Sequence, residues 1–277
     1  MEPSAARAPG NACLPLFGEQ GLRELDEFVV PDLLCAFDFD GTLAPIVARP
    51  DEARLPDEVR QRLEALAGLA PVAVVTGRSV ADIRERLGFR PDHVIGNHGM
   101  EGVPGNDGVE RRYRDTVAGW RRALRAGGLG DGVELEDKGL SLSLHYRLAP
   151  DPEGAARDLR VRIDALSPRP HVIDGKCVFN LMPTADMNKG LALLALMAAT
   201  GRRHALYAGD DATDEDVFRL RHPGIFTIRI DEGPDTAARY FVPGHEAIVP
   251  VLDTLIAALE RIGRADARVP RADRGSG

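Results

Sequence analysis

Cysteine is scarce, and what there is does not pair. Cys13, Cys35 and Cys177 are the only copies in 277 residues, odd in number and far apart, which fits neither a disulfide framework nor a zinc cluster. No apolar run approaches the length that spans a bilayer, so no membrane association is expected. Positive charge is in deficit: 35 Lys and Arg stand against 43 Asp and Glu, a formal net charge of −8. Such a field repels nucleic acid and anionic lipid, so neither is expected as a partner. The N-terminus lacks the apolar core of a signal peptide, and the expected compartment is the cytoplasm. What is present suffices for a packed interior: 44% hydrophobic residues, in a length that makes one large domain or two modest ones.

The chain is organised around Leu33 to Leu43. Leu33-Leu34-Cys35-Ala36-Phe37 is a short unbroken apolar run, the pattern of a buried parallel strand, with Cys35 as core. At its end stand Asp38 and Asp40, one residue apart, then Gly41 and Thr42. Ligands of open α/β sheets bind at the carboxyl ends of strands. Two acids so close repel unless a cation or a shared proton offsets them. That suggests a metal-assisted site with a carboxylate nucleophile. The competing reading is an acidic turn closing the strand, since Asp and Gly are common turn formers.

Pro56 to Ala70 reads as a helix with Val59, Leu63 and Leu66 on one face, and Val72 to Val75 as a second buried strand. The strand ends in Thr76-Gly77-Arg78-Ser79, and a helix capped by Ser79 and Asp82 runs to Leu87, stopped by Gly88. Strand, Thr-Gly, helix offers a hydroxyl and free amides to a phosphate. Thr76 is equally at home as a turn residue. After Val94-Ile95 come Asn97 and His98 among glycines; with no second His or Cys nearby, His98 is a poor metal ligand, and both are expected to line the cleft.

Pro104 to Gly108 breaks the chain, and beyond it the pattern turns from buried to amphipathic. Val117, Trp120 and Leu124 mark a helix closed by Gly127-Gly128, and Asp151 to Leu166 is another. Val133 to Lys138, Leu140 to Arg147 and Lys176 to Met182 read as strands. The result is a small sheet with one apolar face under helices. The other face is polar and carries Glu134, Glu136, Lys138, Ser141, Ser143, His145, Arg147 and Asn180. A solvated face is the default account of it. A cap over a phosphosugar needs the same chemistry: acids and amides for hydroxyls, cations near the phosphate.

The earlier pattern resumes after Pro183. Asn188 caps a helix that Lys189 opens and that runs from Gly190 to Ala199. Ala205 to Ala208 is a strand ending in an acidic run that holds Asp210, Asp211 and Asp214. This run suits either a charged helix start or a metal site, Mg²⁺ being the cation that prefers hard oxygen ligands. Ile225 to Ile230 is a further strand, and Ala247 to Ile262 a closing helix. The expected fold is α/β: a Rossmann-like, doubly wound parallel-sheet core with an inserted α+β cap. Residues 19–103 and 184–263 form the core and 104–183 the cap, with 1–18 and 264–277 lacking structure.

Asp38-Phe39-Asp40-Gly41-Thr42-Leu43 resembles the DxDGT signature of the haloacid-dehalogenase-like phosphotransferases. Asp38, Asp40, Thr76, Lys189 and Asp210 stand in that superfamily's four motifs, in order. More narrowly, Thr76-Gly77-Arg78-Ser79, Gly96-Asn97-His98-Gly99, Glu136 to Ser141, His145-Tyr146-Arg147 and Gly209 to Glu215 resemble the trehalose-6-phosphate phosphatase family. The resemblance implies Asp38 as nucleophile and Asp40 as acid and base. It implies Mg²⁺ on Asp38, the Asp40 carbonyl and Asp210, and Thr76 and Lys189 on the phosphoryl oxygens. Gly77, Arg78, Asp211 and Asp214 then lie near the phosphate. The implied substrate is a phosphorylated disaccharide, held by Asn97, His98, Glu136, Lys138, Ser141, His145, Arg147 and Asn180. At Asn180 the family usually carries a Glu. The change points to a related pseudo-disaccharide phosphate such as validoxylamine A 7'-phosphate as an alternative substrate, and a catalytically silent phosphosugar-binding domain is the remaining alternative.

Overall fold

The computed structural model describes residues 13–268, apart from Ala48 and Pro234. In chain order come β1 (Leu14–Pro15), α1 (Glu19–Phe28), β2 (Leu33–Phe37), α2 (Asp57–Ala67), β3 (Val72–Val75), α3 (Val80–Leu87) and β4 (His93–Ile95). Next are α4 (Asp107–Ala126), β5 (Glu134–Asp137), β6 (Leu142–His145), α5 (Pro152–Asp164), β7 (His171–Gly175) and β8 (Val178–Met182). The rest are α6 (Lys189–Thr200), β9 (His204–Gly209), α7 (Glu215–Phe218), β10 (Ile225–Ile230), β11 (Tyr240–Val242) and α8 (Ile248–Arg268). This is an α/β protein. Two compact units divide it: residues up to Val72 with those from Arg202 onward, and Ala73–Gly201.

In the first unit β1, β11, β10, β9 and β2 lie in that order, every pair parallel. All five residues of β2 are buried, as expected of a strand covered on both faces. Helix α8 buries Ile248, Val251, Leu252, Leu255 and Leu259 at three- and four-residue spacing. It is tied to α2 by Arg62 and Asp253 at 2.7 Å.

Two expectations about the ends change. Leu14 and Pro15 pair with Tyr240 and Phe241, a strand too short to show any periodicity. Helix α8 continues past Ile262 to Arg268, helped by an i,i+4 pair of Glu260 and Arg264 at 2.8 Å. The rest of both expected tails, 1–12 and 269–277, lies outside the described residues.

In the second unit β3 and β4 pair in parallel. The Ser79 hydroxyl caps α3 by accepting from the Asp82 amide at 3.2 Å, and Gly88 ends that helix at φ 64°. A separate antiparallel sheet runs β5-β6-β8-β7. Leu142, Leu144, Phe179 and Leu181 on one face pack with Val117, Trp120 and Leu124 of α4 and with Leu159 and Ile163 of α5.

Two details differ from the sequence reading. Helix α4 begins at Asp107, inside the expected break, because Asp107 and Glu110 favour its first turn. Edge strand β7 is a further element that the sequence reading lacks. It offers only Val172 and Ile173 as apolar residues, too few for alternation. Among the described residues no helix is long and apolar enough to cross a membrane.

Candidate active site

The first unit builds an acidic cluster at the carboxyl ends of β2 and β9. Phe37 lies opposite Ala208, and the Asp38 amide donates to the Ala208 carbonyl at 2.9 Å. Asp38 and Asp210 therefore leave the sheet from neighbouring strands. Carboxylate oxygens of Asp38, Asp210 and Asp214 all lie within 4.8 Å of one another.

After Asp38 the chain folds back at once: the amides of Leu43 and Ala44 donate to the Phe39 carbonyl at 3.0 and 2.8 Å. Gly41 sits at φ +85°, and a Cβ there would stand 2.1 Å from Asp210 Oδ2. Only glycine fits both the angle and the space. The Thr42 hydroxyl donates to Asp210 Oδ1 at 3.1 Å. Asp40 bridges to Ala44 through its backbone, and its carboxylate stands outside the trio.

Asp214 is fully buried. Its Oδ2 accepts from the amides of Asp210 and Asp211 at 2.9 and 3.0 Å. Its Oδ1 accepts from the Tyr207 hydroxyl at 2.6 Å. Burial first, then the charges of Asp214 and Asp38, push the Tyr207 hydroxyl well above its usual pKa, so it stays a donor. Asp211 closes the loop by accepting from the Thr213 amide and hydroxyl, both at 2.7 Å.

Asp214 thus shapes the loop that presents Asp210. Three carboxylates so close, two of them buried, repel unless a cation is shared. The all-oxygen donor set fits a hard divalent cation such as Mg²⁺.

The second unit gathers the hydroxyl and amide side of the motifs. Buried Thr76 accepts from the Arg78 amide through its hydroxyl at 3.2 Å, and its carbonyl accepts from the His98 amide at 3.0 Å. Arg78 is held by Asp82 at 2.9 Å, and Asp82 also receives Arg86 at 2.8 Å. Gly99 sits at φ +104°, and a Cβ there would stand 2.6 Å from the Asn188 carbonyl oxygen, so its loop lies directly on the start of α6. Asn188 caps that helix through the Leu191 amide at 2.9 Å. Lys189, its first residue, is buried.

Asn97 and Ser141 are expected among the sugar contacts, but the structure bonds them to each other. Ser141 donates to Asn97 Oδ1 at 2.7 Å, and Asn97 Nδ2 donates to Glu101 at 2.8 Å and to the Lys138 carbonyl at 3.1 Å. Asn97 has no exposed surface and ties its loop to the turn between β5 and β6. Arg147 lies beyond the end of β6, where it donates to the Lys176 carbonyl at 3.3 Å.

Glu136, Ser143 and Asn180 are cross-strand partners in one row. Glu136 meets His145 at 3.0 Å and Lys138 at 3.7 Å. Burial raises the Glu136 pKa, but the His145 hydrogen bond and the Lys138 charge outweigh it and the net shift is down. Ser143 donates to Asn180 Oδ1 at 2.7 Å, and the Asn180 NH₂ is a donor.

The trehalose-phosphatase family model matches residues 36–238. The chain belongs to that family. It is 31% identical over 240 residues to a trehalose-phosphate phosphatase of Mycobacterium bovis, covering 80% of this chain and 60% of the relative. It is 37% identical over 198 residues to the one from Mycobacterium avium, covering 66% and 49%. The chain thus spans about half to three fifths of the length of these curated relatives. A crystal structure of a trehalose-6-phosphate phosphatase related protein superposes with a TM-score of 0.68 at 26% identity, covering 82% of this chain and 99% of that one.

Three residues of the site carry no role in the sequence reading: Thr42, Tyr207 and Glu101. Thr42 belongs to the family motif. Glu101, four residues after Asn97, accepts from the Val80 amide at 2.8 Å. Tyr207, inside an apolar strand, gives no signal in sequence.

Proposed function

We propose that the chain is a phosphatase that removes the phosphoryl group from a trehalose 6-phosphate-type disaccharide through an aspartyl-phosphate. Family membership supports the reaction class, and the clustering of Asp38, Asp210 and Asp214 carries the proposal. Three free cysteines suit the reducing cytoplasm.

Asp38, the Asp40 carbonyl and Asp210 would hold Mg²⁺, which would supply charge neutralisation at the phosphate. An Asp38 oxygen attacks phosphorus as the bond to the sugar oxygen breaks, and Asp40 gives that oxygen its proton. Asp40, now ionised, takes a proton from water. The resulting hydroxide attacks the aspartyl-phosphate, releasing phosphate and restoring Asp38. The roles of Thr76 and Lys189 are to hold the phosphoryl oxygens, with Gly77, Arg78 and His98 beside them. Glu136, Lys138, His145 and Asn180 receive the sugar.

Asn180, where the family usually carries a Glu, favours a second reading. A sugar subsite that presents an amide NH₂ where the family has a carboxylate suits a hydroxyl acceptor or a pseudo-disaccharide phosphate such as validoxylamine A 7'-phosphate. The test is Mg²⁺-dependent phosphate release from trehalose 6-phosphate and from a panel of sugar phosphates, with Asp38→Asn as control. Release by the wild-type chain and its loss in Asp38→Asn are expected. Undiminished release by Asp38→Asn would refute the nucleophile.

A further inference from the structure

The first unit holds a cavity of about 760 Å³ that the acidic cluster does not use. It opens at the amino end of β10, beside the end of α7 and the segment leading into β11. The sheet register separates it from the chemistry. Phe226, in its wall, lies opposite Leu206, four residues before Asp210, or roughly 13 Å at about 3.3 Å per residue.

Its polar lining consists almost wholly of donors. The Arg221 guanidinium makes no ion pair among the described residues. Arg219 has only a 3.9 Å contact with Glu215 and is 63% exposed. His222 Nδ1 accepts from the Gly224 amide at 3.1 Å, so the neutral ring carries its proton on Nε2. The Thr227 hydroxyl, 7% exposed, accepts from the Arg239 amide at 2.9 Å and keeps its own hydrogen to give. Thr236 does the same with the Ala238 amide at 3.1 Å. One acid, Asp235, stands against them, while Arg239 is already paired with Glu24. The apolar wall is Phe28 and Phe226, whose ring centroids lie 5.4 Å apart.

We infer that this cavity binds a small phosphate ester at a site separate from the acidic cluster. Two guanidinium groups and the His222 Nε2–H face the phosphate oxygens, a match that planar arginine forks make well. The organic body lies against Phe28. The volume is that of an ordinary small-molecule site, about 300–1,000 Å³.

Calorimetric titration of the full chain in EDTA, with AMP, glucose 6-phosphate and inorganic phosphate as probes, tests the inference independently of any turnover. One ester is expected to saturate with a Kd of about 1 mM or tighter. Its binding should be unchanged in Asp38→Asn and weakened about tenfold or more in Arg221→Gln, with His222→Gln as a second variant and circular dichroism to verify folding. The AMP and glucose 6-phosphate arms identify the organic body. No saturable binding, binding unaffected by both substitutions, or free phosphate binding as tightly as either ester would overturn it. Failure here leaves the phosphatase reading untouched, and loss of turnover leaves this site untouched.

Discussion

The Tyr207 hydroxyl donates to Asp214 Oδ1 at 2.6 Å inside the sheet, and the other oxygen of the same carboxylate holds the amides of Asp210 and Asp211. One buried side chain therefore fixes the loop that carries a proposed metal ligand. Tyr207→Phe removes the hydroxyl and leaves a buried carboxylate short of a donor, a loss of about 1.5–3 kcal/mol for a bond to a charged group. At roughly 2–4 °C per kcal/mol for a chain approaching this size, calorimetry should record a melting temperature several degrees lower. Half-maximal activity should also need more Mg²⁺. An unchanged Mg²⁺ requirement would confine Tyr207 to stability.

Gly41 is constrained by angle and by space together. With a Cβ only 2.1 Å from Asp210 Oδ2 at φ +85°, Gly41→Ala must move either the turn or Asp210. Misplacing a catalytic group by about 1 Å costs on the order of 100-fold in rate. Phosphate release by Gly41→Ala should fall by about that factor even at saturating substrate. Activity near wild type would show that the loop yields freely.

The strands that end in Asp38, Thr76 and Asp210 were legible because their apolar runs are continuous, as burial on both faces requires. Caps were legible too: Ser79 and Asn188 each accept the amide three residues on. What escaped depends on tertiary pairing. Leu14–Pro15 pairs with Tyr240 and Phe241, far along the chain, and β7 forms an edge on β8. Polarity alone could not show that Asn97 is buried and bonded to Ser141, Glu101 and the Lys138 carbonyl.

Asp82 links stability to pH. Burial raises its pKa, but hydrogen bonds and charge from Arg86 and Arg78 outweigh this and lower it from 3.8. A depressed carboxylate contributes stability above its unfolded value, and that contribution is lost as pH falls through the folded one. The melting-temperature gap between wild type and Asp82→Asn should be widest near neutral pH and close below about pH 3.8. A gap of constant size from pH 7 to about pH 3 would remove the charge from the explanation.

The proposed choice between substrates rests on Asn180. Its Oδ1 already accepts from the Ser143 hydroxyl at 2.7 Å, and in the proposed site its NH₂ is the group offered to the sugar. Asn180→Glu restores the carboxylate usual in the family, within the row that also holds Glu136. If the native substrate is trehalose 6-phosphate, Asn180→Glu should raise kcat/KM for it, by about tenfold for one added hydrogen bond of about 1.4 kcal/mol. If the native substrate presents an acceptor to the amide, the same change removes a donor and sets a charge against that acceptor, and kcat/KM for it should drop about 10- to 100-fold. Measuring both substrates on both proteins separates the two cases. Parallel changes for the two substrates would mean that Asn180 takes no part in the choice.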